Sequence, residues 1–90
     1  MKKTIITVVG KDTVGIIAKV CTYLASAGIN ILDISQTIVQ DYFNMMMVVD
    51  TANANVTFDG MSKALEDLGT EIGVQILCQR EEIFDMMHRI

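Results

Sequence analysis

The sequence predicts an α+β fold of the form βαββαβ, an antiparallel four-stranded sheet of order 4-1-3-2 with two helices on one face. Two observations indicate this fold. The β-branched run Ile5–Val9 precedes apolar residues that recur at helical spacing up to Leu24, and a second helical stripe runs from Phe58 to Ile72. Strand-like segments flank each stripe, so the two halves of the chain echo each other.

The first half reads as strand, loop, helix and strand. Strand one covers Ile5–Val9, and the glycine-bracketed loop Gly10–Gly15 leads into a helix that ends at Gly28, where a left-handed cap causes no Cβ clash. Strand two is predicted from Ile29 to about Gln40. Polar and apolar residues alternate irregularly on both of its faces, which is typical of an edge strand.

The second half supplies two strands, a long helix and a short terminal helix. We expect a turn at Asp41-Tyr42, strand three over Phe43–Asp50, a helix from the N-cap Thr57 to Gly73, strand four over Val74–Gln79 and a terminal helix over 81–90. Strands one and three are apolar on both faces, which predicts that they lie in the middle of the sheet. The terminal helix is too short to be stable alone in water, so it must pack on its own sheet or on another subunit. Together these elements form a ferredoxin-like fold.

Composition excludes several classes of function. The 90 residues suffice for one domain, residues 1–90, and no apolar run reaches the ~20 residues that span a bilayer. The net charge is −4, and seven Lys and Arg do not form the basic face that nucleic-acid binding requires. The start of the chain lacks the pattern of a signal peptide. The sequence therefore predicts a cytoplasmic protein that binds neither membrane nor nucleic acid.

Cysteine, histidine and methionine give little support to metal or redox chemistry. Cys21 and Cys78 occupy inward-facing positions, where small buried hydrophobic groups are their simplest role and a disulfide or redox role is the alternative. His88 has no second His or Cys nearby, so no metal site is expected. The thioethers of Met45–Met47 suit Cu(I), but strand alternation turns Met46 away from its neighbours, which favours core filling. No cofactor is predicted.

The residues between Val8 and Gln36 resemble the ACT domain family, small regulatory modules that bind amino acids. The segment VVGKDTVGIIAKVCTYLASAGINILDISQT follows the family pattern G-[KR]-D-x-[PS]-G-[IL]-[VI]-A, with G-x-N-I further along. It is most similar to stand-alone, single-module members and to the modules of the glycine-cleavage repressor. Val14 departs from the pattern, because many relatives have proline or serine at this position.

The resemblance implies a ligand site at the loop and at the start of strand two. Free N–H groups at the start of a helix can hold a carboxylate, and Asp12 or the Asn30 side-chain oxygen can accept a hydrogen bond from an ammonium group. Each has a structural alternative, since Asp12 can cap the helix and Asn30 can stabilise the turn. A phosphate loop is disfavoured, because no Lys-Ser/Thr follows the second glycine. The candidate ligand-binding residues are Gly10, Lys11, Asp12, Gly15, Asn30 and Ile31.

Two functions are compatible with the sequence. The first is a non-catalytic regulatory module that binds a small molecule, an amino acid, and acts as a homodimer. The second is a protein–protein interaction module whose loop is architectural and which binds no ligand. Catalysis has little support, because the chain offers one histidine and no nucleophile–base pair at a suggestive spacing. The homodimer is expected because the open sheet face is apolar. The open face, the strand-two edge or both should lie in the interface, with the Ile83–Ile90 tail helping to cover it.

Overall fold

The computed structural model describes residues 2–11 and 14–87, except for the side chains at 84, 86 and 87. The strands pair antiparallel in the order β2-β3-β1-β4, which confirms the predicted sheet and the ferredoxin-like fold. The last three residues predicted for the terminal helix lie outside the described part. The elements are β1 (Lys3–Lys11), α1 (Ile16–Ser26), β2 (Asn30–Val39), β3 (Tyr42–Asp50), α2 (Phe58–Ile72), β4 (Val74–Arg80) and α3 (Glu81–Met87).

The core lies between one face of the sheet and the two long helices. Ile6 pairs with Met47 and Val8 with Met45, so alternate residues of the two central strands share this face. Full burial of each large apolar side chain contributes ~1.5–3 kcal/mol of stability. The core side chains with no more than 1% of their surface exposed are Ile6, Val8, Val20, Leu24, Met45, Met47, Val49, Met61 and Leu65.

The bounds of α2 follow from its two caps, as predicted. Thr57 has extended backbone angles, and its hydroxyl accepts a hydrogen bond from the Gly60 N–H at 3.0 Å. This bond satisfies one of the amide groups that a helix start leaves free. Gly73 ends the helix with φ 82°, the left-handed conformation that glycine adopts without strain.

The first residue of β4, Val74, packs between two glycines. A Cβ on Gly10 would lie 2.7 Å from Val74 Cγ1 and 2.9 Å from Val74 Cα, and a Cβ on Gly69 would lie 2.6 Å from the Val74 carbonyl oxygen. Non-bonded carbon atoms prefer separations of about 3.5–4.0 Å, so neither position has room for a side chain. A glycine inside a helix costs about 1 kcal/mol relative to alanine. Close packing of α2 on β4 therefore explains the helical Gly69.

A β-bulge in β2 makes its side chains depart from the simple alternation expected from the sequence. The bulge lies between Ile31 and Asp33, so that Ile31 pairs with Val49 and Ile34 pairs with Met47. An extra residue in one strand shifts every later side chain to the other face. Ile31 and Ile34 therefore share the helix-bearing face, whereas simple alternation assigns them to opposite faces.

The turn between β2 and β3 lies one residue earlier than predicted. Gln40 and Asp41 form the turn, and Tyr42 already belongs to β3, where it pairs with Val39. Gln40 has φ 56°. Two-residue hairpin turns require left-handed backbone angles because these match the twist of the flanking strands.

The terminal helix α3 covers one end of the open sheet face. Ile6 points towards the long helices, so Ile5 points to the opposite face, yet Ile5 is only 4% exposed. α3 contacts β1 and β4, and Glu81 Oε2 lies 4.0 Å from Lys3 Nζ. The terminal helix thus packs on its own sheet. Beyond it, the open face retains exposed apolar side chains, namely Val9, Met46 and Leu77.

The cysteines and the methionine triplet occupy the predicted environments. Met45 and Met47 are sealed in the core, and Met46 is exposed on the other face. Cys78 is buried, Cys21 is half-buried, and both are free thiols. Burial raises the pKa of the Cys78 thiol to about 11, although a hydrogen bond with Ser62 acts in the opposite direction.

We predict that the fold loses stability between about pH 9, the ordinary pKa of the thiol, and about pH 11, the pKa of Cys78 in the fold. The stability from the neutral buried thiol is complete below the unfolded-state pKa and is lost as pH rises through the folded-state pKa, by ~2 kcal/mol in total. Urea unfolding across this range, compared between the wild type and Cys78→Ala, measures it. Identical pH slopes in the two proteins would contradict the prediction.

Candidate ligand-binding site

The glycine-bracketed segment connects the end of β1 to the N-terminus of α1. Gly10 and Lys11 belong to β1 and pair with Phe43 and Tyr42. Gly15 stands at the N-cap of α1 with φ 92°, and no side chain in the described part caps this helix. Amide groups at the start of a helix can donate to a ligand carboxylate, and the helix dipole favours negative charge there.

The other predicted residues are placed differently. Asn30 is exposed at the start of β2, opposite Asp50, and Lys11 is exposed at the end of β1. Ile31 is half-buried and packs against the core, which accounts for it as a structural residue. Asp12 lies outside the described residues.

Asn30 and the loop lie at opposite ends of the sheet within one chain. Asn30 pairs with Asp50, the last residue of β3, whereas Lys11 pairs with Tyr42, the first. Eight residues of extended strand span ~27 Å. Because β1 and β2 run parallel, the end of one and the start of the other cannot meet. A small ligand therefore cannot contact both the loop and Asn30 of the same chain.

Asp50 organises the end of the sheet where Asn30 lies. Its carboxylate accepts hydrogen bonds from the Ala52 N–H at 3.0 Å and from the Lys2 N–H at 3.2 Å. The Ala52 hydrogen bond is the main cause that lowers the pKa of the Asp50 carboxyl. Asp50 is thus engaged by backbone donors. Sequence reasoning missed this role, because the Lys2 hydrogen bond joins residues that lie far apart in the sequence.

Two cavities lie away from the predicted residues. One, of about 620 Å³, lies at the Asn30 end of the sheet, between the start of β1, the segment 51–57 and the start of α3. The other, of about 580 Å³, is a groove between α1 and α2 whose lining includes Ala18, Tyr23 and Leu68. None of the five candidate ligand-binding residues that the structure describes lines either cavity.

Within 2–11 and 14–87, no three His, Cys, Asp or Glu side chains are grouped closely enough to hold a metal ion. No helix in that same part of the chain has the length and apolar character needed to cross a membrane.

Comparison with known proteins identifies the family. A family model for the ACT domain matches residues 2–79. The chain belongs to the ACT domain family. A UPF0237 protein of Bifidobacterium longum is 68% identical to this ACT domain over 90 residues, which cover 100% of both chains. The resemblance seen between Val8 and Gln36 is thus confirmed.

Solved structures extend the comparison. An ACT domain protein from Streptococcus pneumoniae superposes with a TM-score of 0.81 and 43% identity, covering 93% of this chain and 94% of that one. The regulatory subunit of aspartate kinase from Thermus thermophilus, in a ligand-free form, has a TM-score of 0.66 and 29% identity over 87% of this chain and 50% of its own. ACT domains are regulatory ligand-binding modules.

In this ACT domain we predict that Gly10→Ala costs about 1–3 kcal/mol of stability, because the new Cβ overlaps the backbone and side chain of Val74. Lys11→Ala, at the exposed neighbouring position, is the matched control and should change stability by no more than ~0.5 kcal/mol. Urea unfolding of both variants measures the difference. Full stability of Gly10→Ala combined with loss of ligand binding would instead make Gly10 a residue of the ligand site.

Proposed function

We propose that this ACT domain is a non-catalytic regulatory module that binds an amino acid and acts as a homodimer. The observation that carries the proposal is the start of α1 at a glycine with φ 92°, where no side chain among the described residues caps the helix amide groups. Membership of the family and the similarity to a regulatory subunit of aspartate kinase support an amino acid as the ligand class.

The two ends of an amino acid need different partners. The carboxylate suits the free N–H groups at the start of α1, where the helix dipole is positive. The ammonium group needs an acceptor, and the exposed Asn30 side-chain oxygen provides one. Since these two partners lie at opposite ends of one sheet, the complete site requires two chains.

The exposed edge of the sheet supports a dimer through β2. None of its ten residues is buried, and Ile34 and Ile38 are 43% and 55% exposed although they lie on the helix-bearing face. The outer edge of β2 also presents unpaired backbone groups to solvent. A long edge strand with apolar side chains is a template for pairing with a second copy.

Antiparallel pairing of β2 across a two-fold axis would bring the separated partners together. It reverses one copy relative to the other, so the Asn30 end of one copy meets the loop end of the partner copy. The lateral separation between Asn30 and the partner's β1 then becomes three strand spacings, ~14 Å. A bound amino acid, the Asn30 side chain and the loop together can fill that gap.

A second candidate function has an observation in its favour. The contact of Gly10 with Val74 gives the first glycine of the loop a purely structural reason. Together with the exposed Val9, Met46 and Leu77, it favours a protein–protein interaction module that binds no ligand.

We predict that one or more of the twenty amino acids raises the melting temperature, and that Asn30→Ala abolishes this shift. Loss of a hydrogen bond to a charged group costs ~1.5–3 kcal/mol, which is roughly tenfold or more in affinity. Asn44→Ala, at an exposed position on β3, is the control and should retain the shift. Absence of any shift would favour the interaction module, and an unchanged shift in Asn30→Ala would make Asn30 purely structural.

We predict a dimer of twice 9.9 kDa in sedimentation equilibrium at micromolar concentration. Ile34→Glu should weaken it, because the β2 edges would then place two like charges close to the two-fold axis. Leu77→Glu, on the open sheet face, should leave it intact. A monomer in the wild type would contradict the dimer, and dissociation by Leu77→Glu alone would assign the interface to the open face.

A further inference from the structure

Three of the cationic side chains of this protein line the cavity at the Asn30 end of the sheet. Lys2, Lys3 and Arg80 line it, in a chain with a net charge of −4 and only seven Lys and Arg. The volume of about 620 Å³ lies within the range of small-molecule sites, which is about 300–1,000 Å³.

Arg80 is held in place over this cavity. Its Cζ lies 4.2 Å from the centroid of the Phe58 ring, a distance at which the ring stabilises the guanidinium. Arg80 pairs with Thr4 across β1 and β4, so both side chains lie on the helix-bearing face. No carboxylate in the described residues lies within ion-pair distance of Arg80, and its charge is therefore available to a ligand.

Thr4 supplies an uncommitted hydroxyl beside Arg80. The residue is only 2% exposed, and its hydroxyl makes no hydrogen bond within the described part of the chain. In the described part of the chain, each fully buried polar side-chain atom has a hydrogen-bond partner. Because the Thr4 hydroxyl has none, it cannot be fully buried and must be in contact with open space. The open space that Thr4 lines is this cavity. A ligand in the cavity can therefore form a hydrogen bond with this hydroxyl.

The N-terminus of α2 adds backbone donors. The Gly60 N–H donates to Thr57 Oγ1 at 3.0 Å, and the Met61 N–H donates to the Thr57 carbonyl at 2.9 Å. The N–H groups of Phe58 and Asp59 have no partner among the residues described, and Thr57 and Phe58 line the cavity. α2 is 15 residues long, so the positive end of its dipole lies at the cavity.

Two acidic side chains narrow the class of ligand. Glu81 and Glu82 also line the cavity, and Glu81 lies 4.0 Å from Lys3. Three cationic and two acidic groups leave one net positive charge. That balance favours an anion with one negative charge over a phosphate dianion.

We propose that this cavity binds the carboxylate of a small molecule with a single carboxylate group. Arg80, the Thr4 hydroxyl and the free N–H groups at the start of α2 hold the two oxygens, which accept several charge-assisted hydrogen bonds. The site shares no residue with the loop and Asn30, so it does not rest on the proposed function.

The test is a titration of ¹⁵N-labelled protein with propionate, with alanine and with inorganic phosphate, followed by amide chemical shifts. Propionate and alanine match in size and differ in the ammonium group. We expect both to shift the Phe58 and Asp59 amides saturably, and phosphate to bind more weakly. Arg80→Gln and Thr4→Val should weaken both probes roughly tenfold or more.

Matched variants control the test. Lys63→Gln removes a charge from α2 outside the cavity and should leave the affinity for both probes unchanged. Thr4→Val replaces a hydroxyl without a partner by a methyl group, so its melting temperature should not fall. Glu82→Gln distinguishes two classes of ligand, because the Glu82 carboxylate can pair with the ammonium group of alanine but not with propionate. If the variant binds only alanine more weakly, the site is assigned to free amino acids. If the variant binds both probes as the wild type does, the site is assigned to simple carboxylates.

Two results would contradict the proposed carboxylate site. Absence of saturable shifts at Phe58 and Asp59 with both probes overturns the proposal, as do shifts that persist in Arg80→Gln and Thr4→Val. Asn30→Ala should leave these shifts intact, so failure of this site and failure of the site at the dimer interface are distinguishable.

Discussion

The contact of Val74 with Gly10 and Gly69 determines how α2 lies on the sheet. β1 and α2 approach the first residue of β4 from two sides, so closely that neither glycine has room for a Cβ. α2 ends at Gly73, one residue earlier, so the end of the helix and the start of the strand are set together. The 15-residue helix then runs back along β4 and places its N-terminus beside Arg80. One close contact thus positions a set of free amide donors at the far end of the sheet.

The fold could be predicted because burial imposes a period on the sequence. The stripe from Phe58 to Ile72 predicts α2 with its bounds, since Thr57 and Gly73 have the chemistry of a start and a stop. The methionine triplet divides between the two faces because strand alternation is independent of residue type. The bulge between Ile31 and Asp33 could not be predicted, because no glycine or other local signal accompanies it. It arises where β2 adjusts to β3.

The candidate site was predictable only in part. Gly15 stands at the N-cap of α1, as the loop pattern indicates. The separation of Asn30 from the loop follows from topology alone: β1 and β2 both run antiparallel to β3, so the end of β1 lies far from the start of β2. The pairing of Thr4 with Arg80 could not be predicted from the sequence, because it depends on the register between β1 and β4, which are far apart along the chain. Likewise, the sequence predicts Gly10 to be a loop residue, and its close contact with Val74 is evident only when β4 lies beside β1.

The central position of β1 has a consequence for how the chain assembles. Its partners are β3, which begins at residue 42, and β4, which ends at residue 80. During synthesis β1 must therefore stay unpaired until β3 has followed it, and it gains its second partner only after β4. Only the β2–β3 hairpin joins neighbours in sequence, and contacts between distant segments slow folding because a long loop must close before they form. Among the four strands, the apolar β1 therefore waits longest for its partner strands during synthesis.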